Sequence, residues 1–337
     1  MKLRTGTVVV LGAAVLALLT LATAGWGRYL AQPGPLQAPA MVVIDNGNGP
    51  RTIAAKLQRA GVIDHPEAFV LAVRLLGLAG TLQAGEYSFD PGISLRATIN
   101  KLALGDTQNR AVTIPEGFTV AQVLARLEAD QGLSGKIEQR PAEGTLFPDT
   151  YAFRFGVKRQ DLLGTMSERM AEELAAAWAS RTPGLPLNSP EELLILASIV
   201  QKEAANDAEM PQIAGVFVNR LNRKMKLQSD PTVIYGANFD GNIRKKDLSE
   251  PHPFNTYVYA GLPPTPIANP GRAALRAAAQ PATTPALFFV ADPSRTHHLF
   301  AESYAEHQRN VQRYWRTVQA EQQMIERQQI EKGGKTK

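Results

Sequence analysis

Tyr87-Ser-Phe-Asp-Pro-Gly-Ile-Ser-Leu-Arg-Ala-Thr-Ile-Asn-Lys-Leu102 aligns without a gap on Val112-Thr-Ile-Pro-Glu-Gly-Phe-Thr-Val-Ala-Gln-Val-Leu-Ala-Arg-Leu127. Each copy opens with a short β-prone run, turns on Pro and Gly, and places a hydroxyl residue, Ser94 or Thr119, where a helix N-cap belongs. A helical apolar stripe follows: Leu95, Ile99 and Leu102 in one copy, Val120, Val123, Leu124 and Leu127 in the other. A looser copy starts at Met41, with Val42-Val43-Ile44 as the strand, Thr52 as the cap, and Ile53 and Leu57 on the helix. Gly61 and Gly105 supply helix stops, and Pro66 to Leu78 reads as a further helix. Strands alternating with short helices predict an α+β fold, with one or two small modules between residue 41 and about 130. Three separated copies are too few for a solenoid. No titratable residues cluster here, so binding or spacing is the expected task.

Further along, Gly144 to Phe155 is aromatic and turn-rich, and Gln160 to Ser180 reads as a helix. Ser189-Pro-Glu-Glu192 then starts another, with a Ser cap, Pro at the first position and an acid at the third. Leu193-Leu-Ile-Leu-Ala-Ser-Ile-Val200 is apolar almost all round, which places this helix in the centre of a core. At 100° per residue Glu203 shares a face with Leu196, Ile199 and Val200, while Gln201 and Lys202 rotate to the polar side. A carboxyl group leaving an apolar face is poorly solvated, its neutral form is favoured, and that suits a general acid. The competing reading is an exposed acid at a helix end, or one paired with Arg220. Asp207 is a cap for a second helix with Ile213, Val216, Phe217 and Leu221 on its apolar stripe. In the loops Leu227–Gly236, Pro253–Tyr257 and Gly261–Gly271, polar side chains alternate with Pro, Gly and Tyr. That mixture suits a carbohydrate groove, although each loop alone is ordinary turn chemistry.

The N-terminus sets the location. From Thr5 to Gly27 no residue is charged, a length of about 35 Å as a helix, with Lys2 and Arg4 on one side. The positive-inside rule leaves the N-terminus cytoplasmic and the rest of the chain exported. A cleaved signal peptide is the alternative, because Ala22-Thr23-Ala24 resembles a small-x-small cleavage site. Pro33, Gly34, Pro35 and Pro39 suggest a stiff, unstructured spacer over residues 29–40. The net charge of the 337-residue chain is only +5 with no concentrated basic stretch, which argues against a nucleic-acid partner. The absence of cysteine excludes disulfides, thiolate metal sites and a Cys nucleophile. There is no His-Glu-x-x-His, and the adjacent His297 and His298 would point apart, so neither a metal nor a cofactor is expected. Gly334-Lys335-Thr336 lacks the upstream glycine of a P-loop. Ser198 lies inside the apolar helix and is expected to bond back to it. From about Glu302 the chain reads as a polar helix presenting a solvated face.

Taken together, Leu196-Ala-Ser-Ile-Val-Gln-Lys-Glu-Ala204, Val216-Phe-Val-Asn-Arg-Leu221, Leu227-Gln-Ser-Asp-Pro-Thr-Val-Ile-Tyr-Gly236, Asn255-Thr-Tyr257 and Gly261-Leu-Pro-Pro264 resemble the YceG-like endolytic murein transglycosylases. Thr113-Ile-Pro-Glu-Gly117, Leu146-Phe-Pro-Asp-Thr-Tyr151, Phe289-Val-Ala-Asp292 and His298-Leu-Phe300 fit the same family, and the resemblance covers about residues 40–315. It implies a single-pass inner-membrane protein with a periplasmic catalytic domain acting on peptidoglycan glycan strands and ending nascent-strand growth. A peptidoglycan synthase is a candidate partner. The implied organisation is a cytoplasmic start (1–5), an anchor (6–28), a linker (29–40), a LysM-like module (41–108), a connecting segment (109–155), a catalytic domain (156–315) and a polar helical tail (316–337). The family's catalytic glutamate falls on Glu203, and Gln228, Asp230, Asn255 and Tyr257 are candidate substrate contacts. Two departures stand out: Gln201 replaces the motif's usual first acid, and Phe254 stands where Tyr often precedes Asn-Thr-Tyr. The alternatives are a lysozyme-like hydrolase, with Asp230 or Glu209 as second carboxylate, and a non-catalytic wall-binding scaffold.

Overall fold

A computed structural model describes residues 5–236, 243–294 and 296–333. The fold mixes helices with three two-stranded sheets and divides into two compact units. One is built from the chain up to Val112, with Asp130–Ser134 and Ala152–Lys158; the other from Thr113–Ala129, Gly135–Tyr151 and the chain from Arg159. The stretch 109–155, expected as a connection, thus contributes to both.

In the first unit, helix α1 (Thr5–Ala31) contains the one described helix, over Val10–Ala31, that is long and apolar enough to cross a membrane. Strands β1 (Ala40–Ile44) and β2 (Gly85–Phe89) pair antiparallel, with Ala40 opposite Phe89 and Ile44 opposite Gly85. Helices α2 (Pro50–Arg59), α3 (Pro66–Leu75) and α4 (Leu95–Leu104) complete it. The alternation read from the sequence puts Val42, Ile44, Tyr87 and Phe89 into one core with Ile53, Leu57, Phe69, Ile99 and Leu102. Ser94 caps α4, accepting the Ala97 N–H, and Gly105 ends it at φ 66°, in the left-handed region. Thr52, expected as a cap, lies inside α2 instead. Gly49 occupies the N-cap because Pro50 is pre-set for the first helical position.

The spacer reading of residues 29–40 is corrected. Leu30 and Leu36 are buried in this core, with Trp26 and Tyr29 packed on it. The Gly34 N–H donates to the carbonyls of Gly92 and Ile93, and the Gly92 N–H to that of Leu36. Apolar side chains among the prolines had partners to bury against, so the segment docks rather than extending into water.

Strand β3 (Asn109–Thr113) pairs with β4 (Thr150–Arg154), and helix α5 (Val120–Ala129) follows the Thr119 cap of the repeat. In the second unit α7 (Pro190–Glu203) is the centre: every residue from Leu193 to Val200 is buried. The Ser189 cap accepts the Glu192 N–H as its sequence implied. Around it pack α6 (Arg159–Ala179), α8 (Met210–Asn222) and α11 (Arg272–Ala279). Asp207 caps nothing; it opens a 3-10 turn, Asp207–Glu209, with Asn206 at its N-cap position, and α8 starts only at Met210. The short helices α9 (Asp230–Gly236) and α10 (Lys245–Ser249) lead to the hairpin β5 (Phe288–Ala291) and β6 (His298–Ala301). Helix α12 (Tyr304–Gly333) continues without a break past residue 315.

Candidate active site

Glu203 is the last residue of α7, and Ala204 leaves the helix in an extended conformation. Its carboxyl group therefore stands at the negative end of the helix dipole, beside the apolar face that buries Leu196, Ile199 and Val200. Burial pushes its pKa up to about 7 and the Asp230 charge adds to the rise, while a hydrogen bond from Ser229 and the charge of Arg220 oppose it. At neutral pH the group is divided between acid and carboxylate, which is what proton transfer in both directions needs.

A groove of about 410 Å³ opens over Glu203, with Arg220, Gln228, Asp230 and Tyr257 among its walls. The Ser229 hydroxyl donates to Glu203 Oε1 at 2.5 Å. Ser229 is held by a buried hydroxyl network: its N–H donates to Thr256 Oγ1 (3.0 Å), Thr256 Oγ1 meets Thr232 Oγ1 (2.9 Å), and the Thr232 hydroxyl donates to the Ser229 carbonyl (2.7 Å). The motifs Leu227–Gly236 and Asn255–Tyr257 thus work through Ser229, Thr232 and Thr256 inside, residues that sequence reasoning passed over for their neighbours. Their signal was available as hydroxyls placed between polar residues of two recognised motifs. It was not decisive, because serine and threonine are common in any turn.

The four candidate contacts separate. Gln228 is exposed at the groove with φ 53°, a left-handed conformation that is uncommon outside glycine, and its Oε1 accepts from Arg220 Nη1 at 3.3 Å. Asp230 begins α9, where a carboxylate is favoured, and accepts the Tyr257 hydroxyl at 2.6 Å. Burial, reinforced by that carboxylate, pushes the Tyr257 pKa up, so its phenol is a donor throughout the ordinary pH range. Asn255 is corrected. It is buried, its Nδ2 donates to the carbonyls of Asp247 (3.0 Å) and Glu250 (2.9 Å), and its Oδ1 accepts the Tyr257 N–H (2.9 Å). With both ends of the amide occupied it shapes the loop and faces no substrate.

Arg220 does not close a simple pair with Glu203. It is buried, and its N–H groups go to the carbonyls of Leu287 (2.7 Å) and Leu227 (2.7 Å), tying α8 to both walls. Gln201, read as solvated, accepts the Gly271 N–H at 2.9 Å and bonds to Glu116, whose pKa is raised by burial and by Asp207. Ser198 bonds back to the Ile195 carbonyl at 2.7 Å and also receives the Ile267 N–H. Phe254 packs edge-on against Tyr235, 4.9 Å between ring centroids. Glu209, the other candidate second carboxylate, has both oxygens on His298. The solvated reading of the chain beyond Glu302 is corrected at its start: Tyr304, His307 and Val311 of α12 form a wall of the groove, with His307 stacked on Phe288. Burial lowers the His307 pKa, Arg220 assisting. Among the described residues no three His, Asp or Glu side chains are grouped to hold a metal ion.

Residues 42–313 match the model of the YceG-like family. The chain belongs to that family. A relative from Bacillus subtilis (strain 168), named endolytic murein transglycosylase, is 31% identical over 86% of this chain and 89% of its own. A relative of the same name from Streptococcus pneumoniae is 28% identical over 80% of this chain, which spans 57% of that protein's length. The crystal structure of a YceG-like protein from Listeria monocytogenes superposes with a TM-score of 0.53 at 28% identity, covering 81% of this chain and 99% of that one. As a YceG-like protein, the chain carries its groove, with Glu203, Arg220 and Asp230 in the lining, inside the matched region.

Proposed function

We propose that this YceG-like chain is an endolytic lytic transglycosylase of peptidoglycan, and that Glu203 is its general acid and base. The observation that carries the reading is Glu203 itself: a carboxyl raised to about 7 by burial, held by Ser229, in the lining of a polar groove. Protonated, it donates to the oxygen of the MurNAc–GlcNAc β-1,4 bond as that bond breaks toward an oxocarbenium-like state. As the carboxylate it then takes the proton of the sugar's own C6 hydroxyl, whose oxygen closes on C1 to leave a 1,6-anhydro ring. The nucleophile is already part of the substrate, so no second carboxylate is required. Gln228, Asp230 and Tyr257 are the proposed substrate contacts.

The same proposal includes the setting. Helix α1 anchors the chain in the inner membrane with its N-terminus cytoplasmic and the chain beyond that helix periplasmic. The β1–α2–α3–β2 core with α4 acts as a LysM-like wall-binding module that positions rather than reacts, and a peptidoglycan synthase is the proposed neighbour. Because Asp230 shares the groove with Glu203, hydrolysis is the second reading; Glu209 is removed from it by its bonds to His298. Mass analysis of products from isolated glycan strands separates the two. Ends carrying 1,6-anhydroMurNAc, one water lighter than reducing ends, are expected. Reducing ends would establish the hydrolase, and intact strands with a folded protein the scaffold.

A further inference from the structure

The proposed chemistry leaves a second ionisable couple on the same groove without a task. Glu209 closes the 3-10 turn before α8, and His298 opens β6; each side chain is only 12% exposed. Glu209 Oε1 accepts the His298 main-chain N–H at 2.5 Å, and Oε2 lies 3.0 Å from Nδ1. A carboxylate can only accept, so this contact puts the proton of the neutral imidazole on Nδ1 and leaves Nε2 as an acceptor. Phe289 meets the ring edge-on, with centroids 5.4 Å apart and planes at 84°, which fixes its tilt. Nε2 has no protein partner among the described residues, yet it is not among their enclosed unpaired atoms, and His298 lines the groove that contains Glu203.

We propose that His298 Nε2 is a substrate-binding acceptor, taking a hydrogen bond from a hydroxyl or amide N–H of the glycan strand, and that Glu209 is the positioning residue that holds its tautomer and orientation. The inference rests on the reading of this groove as the glycan site. It assigns to the pair a role that neither carboxylate chemistry nor metal binding requires. A glycan strand presents many hydroxyl and amide donors, and an imidazole nitrogen held in one orientation and tautomer is a directional acceptor for one of them.

The test is a double-mutant cycle in the full chain, with thermal unfolding followed for each variant. H298A is expected to raise KM for glycan strands about tenfold, the size of one lost hydrogen bond, with a smaller change in kcat. H298Q, which returns an acceptor at similar reach, should recover part of the loss. E209A should raise KM as well, and E209A/H298A should be no worse than H298A, because Glu209 acts through the ring. An unchanged KM in folded H298A, or losses that add in the double variant, would overturn the proposal. The reading of the groove is tested separately by strand binding to E203Q and E203Q/H298A. If wild type fails to cleave but E203Q binds strands and E203Q/H298A binds them about tenfold more weakly, the transglycosylase reading falls and His298 stands. If E203Q binds no strand at all, both fall.

Discussion

The two units bury their polar groups in different ways. In the first, the short bonds of buried hydroxyls stay close to home along the chain, Thr98 to the Ser94 carbonyl at 3.0 Å and Tyr87 to the Gln83 carbonyl at 2.8 Å, each four residues back. Only a long 3.5 Å bond from Tyr87 to the Leu102 carbonyl reaches further. The core around these hydroxyls is aliphatic and aromatic, with Ile44, Ile53, Leu57, Phe69, Phe89, Ile99 and Leu102 among its members. In the second, buried polar atoms reach across sequence: Asn269 Nδ2 to the Phe118 carbonyl, the Ile267 N–H to Ser198, and Ser229 to Glu203. Local saturation makes a body that is stable and chemically silent. Long-range polar bonds inside a core hold groups that would otherwise move, and one of them, from Ser229, ends on a carboxyl whose ionisation is disfavoured.

The largest expected effect lies on the second side of that comparison. E203Q keeps size and the Ser229 hydrogen bond but cannot exchange a proton, so strand cleavage should fall by at least 10²–10⁴-fold while the circular dichroism spectrum is retained. A variant that loses activity and unfolds would mark Glu203 as structural. On the first side, F69A removes a fully buried ring and should cost about 3–5 kcal/mol in chemical denaturation. Turnover of short soluble strands should survive it under native conditions, and a parallel loss of turnover would erase the contrast between the units.

Stability against pH sharpens the same contrast. Because burial raises the Glu203 pKa above the unfolded value of 4.5, the native state prefers the proton. Its contribution is complete below about pH 4.5 and is lost as pH rises through about 7. E203Q should therefore be more stable than wild type at pH 8, by about 3 kcal/mol, with the gap closing toward pH 4 in denaturant titrations. S229A removes the bond that favours the carboxylate, so the alkaline limb of kcat/KM should move to higher pH. A limb that stays in place would detach Ser229 from the acid. The smallest effect belongs to a local cap: S94A should cost about 1 kcal/mol and leave the pH profile of cleavage untouched.

Much of the chain was legible before folding was considered. The strand–turn–helix copies, the caps Ser94, Thr119 and Ser189, the stop at Gly105 and the apolar face carrying Glu203 all follow from periodicity and capping, which act within a few residues. Other parts were not. Residues 29–40 read as a spacer because proline hides the two leucines that dock, and α12 read as solvated because its polar composition conceals the few positions that wall the groove. Asn255 looked like a ligand contact because an asparagine in a loop gives no sign of whether its amide faces inward.

The sequence by itself determined the helix starts at Ser94, Thr119 and Ser189, which faces of the elements are apolar, and that a carboxylate emerges from the apolar face of a central helix. Tertiary structure alone decided that Ser229 holds that carboxylate, that Asn255 turns inward, and that Glu209 binds His298. The reason is physical. Periodicity and caps are set by neighbours one turn away, whereas desolvation and hydrogen-bond partnership depend on which distant segment covers a face, and amphipathic pattern leaves that covering segment unnamed.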